Sequence, residues 1–308
     1  MDSVAVILEA PEQLSLRPLT LNPMTASDVA VEIDWSGISS GTEKLLWTGR
    51  MPSFPGMGYP LVPGYESVGR IVDAGSDVRG RVGEWVFVPG ASCYRDARGL
   101  FGGTARRVII PSAKAMPIPE ALGRDGILTA LAATAYHAIA AGPAPELIVG
   151  YGILGRLLAR IVVATGAPAP TVWETNPARR MDAGDMVLAP EDDQRRDYRV
   201  ICDASGAGDI LDVLMPRLAR GGEIVLAGFY DRLSFAFPPA FMREARLRIA
   251  AEFTPDDVAA TTALIVSGAL KLDGLISHAR PASEAAEAYP QAFTDPECLK
   301  MVLDWSAI

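Results

Sequence analysis

A chain of 308 residues, 49% apolar and 21% charged, is long enough for two domains with cores of their own. Its formal net charge of −9, with no basic stripe carrying interleaved aromatics, argues against nucleic acid as a partner, because the phosphates would be repelled. The longest apolar run, Ile127 to Ala141, is interrupted by Thr129, Thr134 and His137 and stopped by Gly142-Pro143, too short for an integral membrane segment.

Taken in order, the start Met1-Asp2-Ser3-Val4-Ala5-Val6-Ile7-Leu8 lacks the basic region, long apolar core and cleavage site of a signal peptide, and reads as a first strand. Short strands follow at Leu14 to Arg17, Val29 to Trp35, Ser67 to Ala74, Trp85 to Val88 and Ala105 to Ile110, punctuated by Gly and Pro; this spacing predicts a small barrel or sandwich. From about position 119 the pattern changes. Helical stretches (Ile127 to Ala141, Ile153 to Thr165, Asp209 to Leu218) alternate with apolar strands (Leu147 to Val149, Val172 to Glu174, Arg199 to Asp203, Glu223 to Gly228), the signature of a parallel sheet wrapped by helices. The polar segment Ala189 to Arg196 reads as a solvated turn. After Ala269, strands at Leu275 to Ala279 and Leu299 to Leu303 flank a helix starting near Ser283, and they would complete the first domain. The expected division is therefore 1–118 with 270–308, and 119–269. Cys93, Cys202 and Cys298 stand far apart and are odd in number, which fits a reducing, cytoplasmic setting and makes no metal-ligand spacing.

One stretch carries chemistry. The run Glu146-Leu147-Ile148-Val149 leads into Gly150-Tyr151-Gly152-Ile153-Leu154-Gly155 and then an apolar helical pattern, giving strand, tight turn and helix with the G-x-G-x-x-G spacing. In a dinucleotide fold Gly150 lets the chain turn, Gly152 admits the pyrophosphate, and Gly155 lets the helix approach the strand, while the amides of Ile153 and Leu154 open the helix toward the phosphates. Such turns also join strands to helices that bind nothing. The strand Thr171-Val172-Trp173-Glu174 strengthens the reading, since it ends in an acidic residue about 20 positions on, where the ribose hydroxyls are accepted. Glu174 thus selects NAD over NADP, although Arg179 and Arg180 lie close in sequence. Ser205 and Gly206, after a strand, border the ribose or nicotinamide or simply form a turn.

The order of elements, with Ser36-Gly37-Ile38-Ser39-Ser40-Gly41-Thr42-Glu43, Val62-Pro63-Gly64-Tyr65-Glu66, Gly102-Gly103-Thr104-Ala105 and Cys202-Asp203-Ala204-Ser205-Gly206, resembles the medium-chain dehydrogenase/reductase superfamily over essentially the whole chain. The resemblance implies an α/β protein: a Rossmann doubly wound parallel sheet domain binding NAD, plus a GroES-like β-barrel catalytic domain. Zinc members of that superfamily carry a cysteine and a histidine where Ser40 (or Ser39) and Tyr65 stand here, and Cys93 is alone where they carry four cysteines. A zinc-free enzyme is expected, because neutral hydroxyls are poor ligands. Among zinc-free members, Met51-Pro52-Ser53-Phe54-Pro55-Gly56-Met57-Gly58-Tyr59-Pro60 and Phe87-Val88-Pro89-Gly90-Ala91-Ser92-Cys93-Tyr94 resemble the bacteriochlorophyllide dehydrogenase family. That resemblance implies oxidation of a 3-(1-hydroxyethyl) chlorin to its 3-acetyl form in bacteriochlorophyll synthesis, by a protein that pairs with a second copy as relatives commonly do.

Without a metal, a side chain has to take the hydroxyl proton. Tyr65 and Glu66 are expected to act together, the carboxylate orienting the phenol, with Thr42 as a hydroxyl relay. Trp47, Met51, Phe54, Met57 and Tyr59 are flat or adaptable apolar groups suited to a macrocycle, or equally to packing the loop on its own domain. Lys44 and Arg50 are candidates for a propionate carboxylate, and His137 and His278 read as structural. Two other classes stay open: a zinc-free enone or quinone reductase, which Glu174 opposes, and a non-catalytic pigment carrier, which the intact glycine turn opposes.

Overall fold

The computed structural model describes residues 2–52, 55–181, 184, 186–230 and 232–308. Contacts divide the chain into two units, Met1–Ala130 with Leu272–Ile308, and Leu131–Lys271.

The first unit opens with β1 (Asp2–Ala10) and β2 (Gln13–Thr20), an antiparallel pair, and β3 (Asp28–Ile38), whose buried residues include Val29, Val31, Ile33 and Ile38. After β3 come α1 (Thr42–Trp47), β4 (Leu61–Val62), β5 (Ser67–Ala74), β6 (Trp85–Val88), β7 (Arg98–Gly99), β8 (Arg107–Pro111) and β9 (Met116–Pro117). A 3-10 segment, Glu120–Leu128, packs on β3, β5 and β6, which carries the first unit past position 118 before α2 (Thr129–Ala140) begins.

The second unit contains β10 (Leu147–Val149), α3 (Ile153–Ala164), β11 (Thr171–Trp173), α4 (Pro177–Arg180), β12 (Val187–Leu188), β13 (Tyr198–Asp203), α5 (Ile210–Leu214), β14 (Leu218–Leu226), α6 (Phe237–Arg243), β15 (Arg246–Ile249) and α7 (Pro255–Val266). Its six strands are all parallel, in the order β12-β11-β10-β13-β14-β15. Strand order therefore reverses between β10 and β13, the position where doubly wound sheets bind their ligands. The helix α3 buries Leu157, Leu158, Ile161 and Val162, the apolar stripe its sequence spacing dictates. A capping box between Thr254 and Asp257 starts α7, and Asp257 also bonds His137 Nδ1 at 2.9 Å.

The chain then returns to the first unit through β16 (His278–Pro281), α8 (Ala285–Thr294) and β17 (Met301–Asp304). β17 pairs antiparallel with β3 and parallel with β16, completing a seven-stranded sheet in the order β16-β17-β3-β5-β6-β9 with β8 on β3. A second sheet runs β2-β1-β4-β7, and Ala5 of β1 bridges Ala105.

Two expectations change and a third is refined. Leu275 is a buried anchor in a loop, and the strand expected from it starts only at His278. The helix expected over Asp209 to Leu218 stops at Leu214, after which Pro216 sits in a 3-10 turn. The segment Ala189 to Arg196 is a largely exposed turn except at Asp193, which is 5% exposed and accepts hydrogen bonds from Trp173 Nε1, Tyr198 Oη and the Arg195 amide, each at 2.8 Å. The Arg217 guanidinium lies 3.8 Å away. A buried charge needs such partners, so this loop ties β11, β13 and the start of β14 together in place of a helix.

Candidate active site

The end of β3, the start of α1 and the loop before β5 converge in the first unit. The antiparallel pairing of β3 with β5 sets Ser36 opposite Ser67, and the Gly37 amide donates to Glu66 O at 2.7 Å, which draws Ser39, Thr42 and Tyr65 together. Tyr65 Oη donates to Ser39 Oγ at 2.8 Å and lies 3.5 Å from Thr42 Oγ1. The Thr42 amide donates to the same Ser39 oxygen at 3.3 Å, and Phe101 meets the Tyr65 ring edge-on with centroids 5.2 Å apart. Burial, with the negative charge of Glu66 adding to it, pushes the Tyr65 phenol well above its ordinary range. Tyr65 is therefore a neutral phenol near pH 7.

Glu66 does not orient that phenol, contrary to the expected pairing. Its fully buried carboxylate takes the Lys300 ammonium, which also donates to Ile38 O at 3.1 Å. A charge at this depth demands an opposite charge, and Lys300, from the turn leading into β17, supplies it. A Cβ on Gly37 would stand 2.3 Å from Glu66 Oε2, so a glycine at that point makes room for the pair.

A second buried carboxylate, Glu43 of α1, was visible in the sequence only as the end of the Gly-Thr-Glu step. Its Oε1 accepts from the Ser39 amide at 3.2 Å and its Oε2 from Tyr289 Oη of α8 at 2.8 Å. Burial raises Glu43 to about 7; the Tyr289 hydrogen bond opposes the rise, nearby Glu66 adds to it and Lys300 opposes it. Glu43, Tyr289 and Lys300 are thus members of the cluster that the sequence did not single out, and of the two serines considered for the cysteine position it is Ser39 that meets Tyr65. A lysine opening the apolar run Lys300-Met301-Val302-Leu303 was the available signal, since a charge there needs a buried partner.

Zinc does not fit this donor set. Ser39 and Tyr65 offer neutral hydroxyls bonded to each other, and Glu66 is held by an ammonium. Among the described residues no group of three or more His, Cys, Asp and Glu is arranged to hold a metal.

The apolar segment expected to meet substrate is divided in its duties. Phe54 lies outside the described residues. Met51 is 7% exposed and packs with Leu8, Leu46, Leu61 and Leu100, and Tyr59 gives its hydroxyl to Leu46 O, so both serve the packing of their own loop. Trp47, Met57 and Phe101 border the same cluster and are only partly buried. Trp47 also faces Tyr289 and Phe293 of α8, with ring centroids 6.3 and 6.4 Å away. Lys44 donates to Phe293 O at 3.1 Å, whereas Arg50 is exposed.

In the second unit the glycine turn follows β10. Gly150 has φ +95°, a conformation that favours glycine, and a Cβ on Gly155 would stand 1.8 Å from Gly150 O. Gly152 caps α3 with open space at its Cβ position, and no side chain caps the helix, so its first amides suit an anionic pyrophosphate. Ile153 and Leu154 form that first turn, and Ser205, at the end of β13, is exposed with its Cα 3.2 Å from the Gly150 Cβ position. Glu174 is 6% exposed, with Oε2 accepting from the Tyr151 amide at 3.1 Å and Oε1 from the Asn176 amide at 2.8 Å. Those bonds fix the carboxylate against the glycine turn. Arg179 Nη1 lies 3.9 Å from it, while the Arg180 guanidinium is bound to the Glu174 and Thr175 carbonyls.

Known proteins bear on both units. Residues 25–120 match the family described as Alcohol dehydrogenase GroES-like domain. The 2-desacetyl-2-hydroxyethyl bacteriochlorophyllide A dehydrogenase of Cereibacter sphaeroides is 57% identical over 316 residues, covering 100% of this chain and 99% of that protein. The protein of the same name from Rhodobacter capsulatus is 56% identical, covering 99% of each. Among solved structures, 2R,3R-butanediol dehydrogenase from Bacillus subtilis has a TM-score of 0.84 at 18% identity, covering 99% of this chain and 100% of that one. A short chain alcohol dehydrogenase from Escherichia coli complexed with NADH has a TM-score of 0.84 at 21% identity, covering 99% of each chain. At such identities these two structures speak to the fold alone.

Proposed function

We propose a reaction from the premise that this chain belongs to the bacteriochlorophyllide dehydrogenase family of the medium-chain dehydrogenase/reductase superfamily: it oxidises the hydroxyethyl group of a bacteriochlorophyllide to an acetyl group in bacteriochlorophyll synthesis. The observation that carries the substrate is the 57% identity to such a dehydrogenase across the whole chain. A nicotinamide cofactor, when bound, supplies the hydride acceptor.

The residues of the first unit handle the alcohol. Tyr65 Oη donates to Ser39 and keeps a lone pair for the substrate hydroxyl, with Thr42 Oγ1 beside it as a second contact. As the carbinol carbon gives up hydride its hydroxyl becomes acidic, and the proton passes through the Tyr65 and Ser39 hydroxyls to solvent, each hydroxyl releasing one proton as it takes one up. A positioned relay of this kind contributes about 10²- to 10⁴-fold. Glu66, paired with Lys300, holds the loop rather than touching substrate. Met57, Phe101 and Trp47 offer the macrocycle apolar edges, and the exposed Arg50 suits a propionate.

The cofactor preferred is NAD. The fixed Glu174 carboxylate accepts ribose hydroxyls, and a 2′-phosphate about 4 Å from it would meet repulsion of about 4 kcal/mol per charge at an effective dielectric near 20. Homodimerisation is supported by the edge strand β15, on which Leu247 is 42% and Ile249 78% exposed. The buried thiols of Cys93 and Cys202 support a reducing cytoplasmic setting, and among the described residues no helix is long and apolar enough to cross a membrane.

The test mixes the full chain with a 3-hydroxyethyl chlorin and either NAD or NADP, following reduced nicotinamide and the red absorption band together. Coupled changes with NAD support the reading. Pigment binding without reduced nicotinamide under any condition overturns it.

A further inference from the structure

We propose that Glu43 is a positioning residue for the hydroxyl pair: its buried carboxylate, tied to α8 by Tyr289, fixes the Ser39 main chain so that the Ser39 hydroxyl stays within reach of Tyr65. The inference rests on the dehydrogenase reading above and adds to it the part that keeps the two hydroxyls in register.

The helix α1 is short, with six residues, and its N-cap is Gly41, which has no side chain to offer the first amides. A helix of that length is marginal on its own hydrogen bonds. Ser39 takes over the cap from two positions upstream. Its Oγ accepts the Thr42 amide at 3.3 Å, and its carbonyl accepts the Glu43 amide at 3.1 Å. Glu43 Oε1 accepts the Ser39 amide in return at 3.2 Å, so residues 39 and 43 hold each other reciprocally, in the manner of a capping box. The nitrogen, carbonyl and hydroxyl of Ser39 are thus all tied to the start of α1, with Oγ 2.8 Å from Tyr65 Oη.

The anchors of this unit come from the far end of the chain. Glu43 Oε2 accepts from Tyr289 Oη at 2.8 Å, and Lys300, the partner of Glu66, donates to Ile38 O at 3.1 Å. Two successive residues at the end of β3 are therefore pinned by α8 and by the approach to β17. Packing alone does not call for a carboxylate at position 43. Glu43 is fully buried, and its hydrogen-bond donors, the Ser39 amide and the Tyr289 hydroxyl, are both neutral. Burying an acidic group there costs stability that an apolar side chain of similar size would not. What the carboxylate supplies and an apolar group cannot is a pair of acceptor oxygens, one for the Ser39 main chain and one for α8. A serine side chain has three staggered wells and follows its backbone, and a misplacement of about 1 Å in such a constellation costs on the order of 10²-fold in rate. Glu43 touches no substrate and acts through Ser39.

Single-turnover formation of reduced nicotinamide by the full chain, with NAD and a 3-hydroxyethyl chlorin, reads the step directly. Glu43→Ala should slow it by about 10- to 10²-fold, while affinity for NAD, set in the second unit, changes by less than about twofold. Glu43→Gln keeps an acceptor for the Ser39 amide and a polar group for Tyr289, and should recover most of that loss. Tyr289→Phe keeps the ring, deletes only the tie to α8, and should fall between the two. A cycle with Ser39→Ala separates positioning from packing. Once the Ser39 hydroxyl is gone Glu43 has nothing left to position, so Glu43→Ala should slow Ser39→Ala no further; a packing role makes the two losses multiply. Should Glu43→Ala not fold, Tyr289→Phe takes its place in the cycle under the same criterion. Multiplying losses, a wild-type rate in Glu43→Ala, or a Glu43→Gln as slow as Glu43→Ala overturns the proposal. Absence of turnover with every hydroxyethyl chlorin overturns the dehydrogenase reading instead. Crystal structures of the wild type and of Glu43→Ala or Tyr289→Phe then decide the positioning by themselves: Ser39 Oγ should draw away from Tyr65 Oη by about 1 Å or more, and an unmoved pair overturns it.

Discussion

Replacing Lys300 by Met removes the charge paired with the Glu66 carboxylate in the interior. The two side chains are essentially without solvent contact, and Glu66 Oε1 has no hydrogen-bond partner among the described residues. Removing one member of such a pair costs about 3–5 kcal/mol, most of it the penalty of the carboxylate left behind. For a domain of about 170 residues, each kcal/mol lowers the melting temperature by roughly 2–4 °C, so the variant should melt at least about 6 °C lower at pH 7. Adding Glu66→Gln removes the stranded charge and should restore most of the lost stability. Thermal and urea unfolding of the four proteins of this cycle at pH 7 measure each quantity. A loss below 1 kcal/mol in Lys300→Met, or additive effects of the two substitutions, would refute the account of a buried pair whose members depend on each other.

Three further outcomes are expected. Gly155→Ala forces a Cβ to within 1.8 Å of Gly150 O, so the helix must shift off its turn; NADH titration by fluorescence should show affinity lowered by at least about tenfold, and equal affinity would remove the role given to the close approach. Glu174→Gln deletes the charge proposed to face the ribose, and the ratio of NAD to NADP affinity should fall by up to about a thousandfold in calorimetric titrations, with an unchanged ratio contradicting the assignment. Asp193 loses exposure on folding, which alone would raise its pKa, but the Arg195 amide, Tyr198 hydroxyl and Trp173 indole hold it below the ordinary carboxylate range. Its stabilisation is complete above about pH 4, the unfolded value, and is lost as pH falls through the lower folded value. Asp193→Ala should then cost about 3–5 kcal/mol at pH 7, and its melting curves should converge on those of the wild type in strong acid; a constant gap down to pH 2 would exclude the mechanism.

The resemblance drawn from short motifs agrees with the full-length identity to bacteriochlorophyllide dehydrogenases, and the two-part fold agrees with the matched domain family. Strands at 85–88 and 147–149 were legible because each is a closed apolar run between turn or polar residues. The glycine turn was legible for a different reason, since no other residue satisfies both a left-handed backbone and a helix packed on a carbonyl. What the sequence hid is pairing across long separations. Glu66 and Lys300, or Glu43 and Tyr289, meet only because β17 lies beside β3, and nothing local to either residue announces the other. Adjacent Tyr65 and Glu66 suggested a couple for the same reason: proximity along the chain is easy to read, whereas the ammonium that claims Glu66 comes from the far end of the fold. The burial of Asp193 was hidden likewise, because one member of an otherwise solvated polar run is singled out only once Trp173 and Tyr198 are placed over it.

The return of residues 272–308 to the first unit has a consequence for how the protein comes into being. On the ribosome, the sheet of the second unit is complete before Tyr289 and Lys300 have been made, so a nascent chain halted near Lys271 already owns its glycine turn but keeps two acidic groups that lack their mates. The dinucleotide turn is thus made before the segment 272–308 that brings Glu43 and Glu66 their partners, and the charge balance of the first unit waits on that segment.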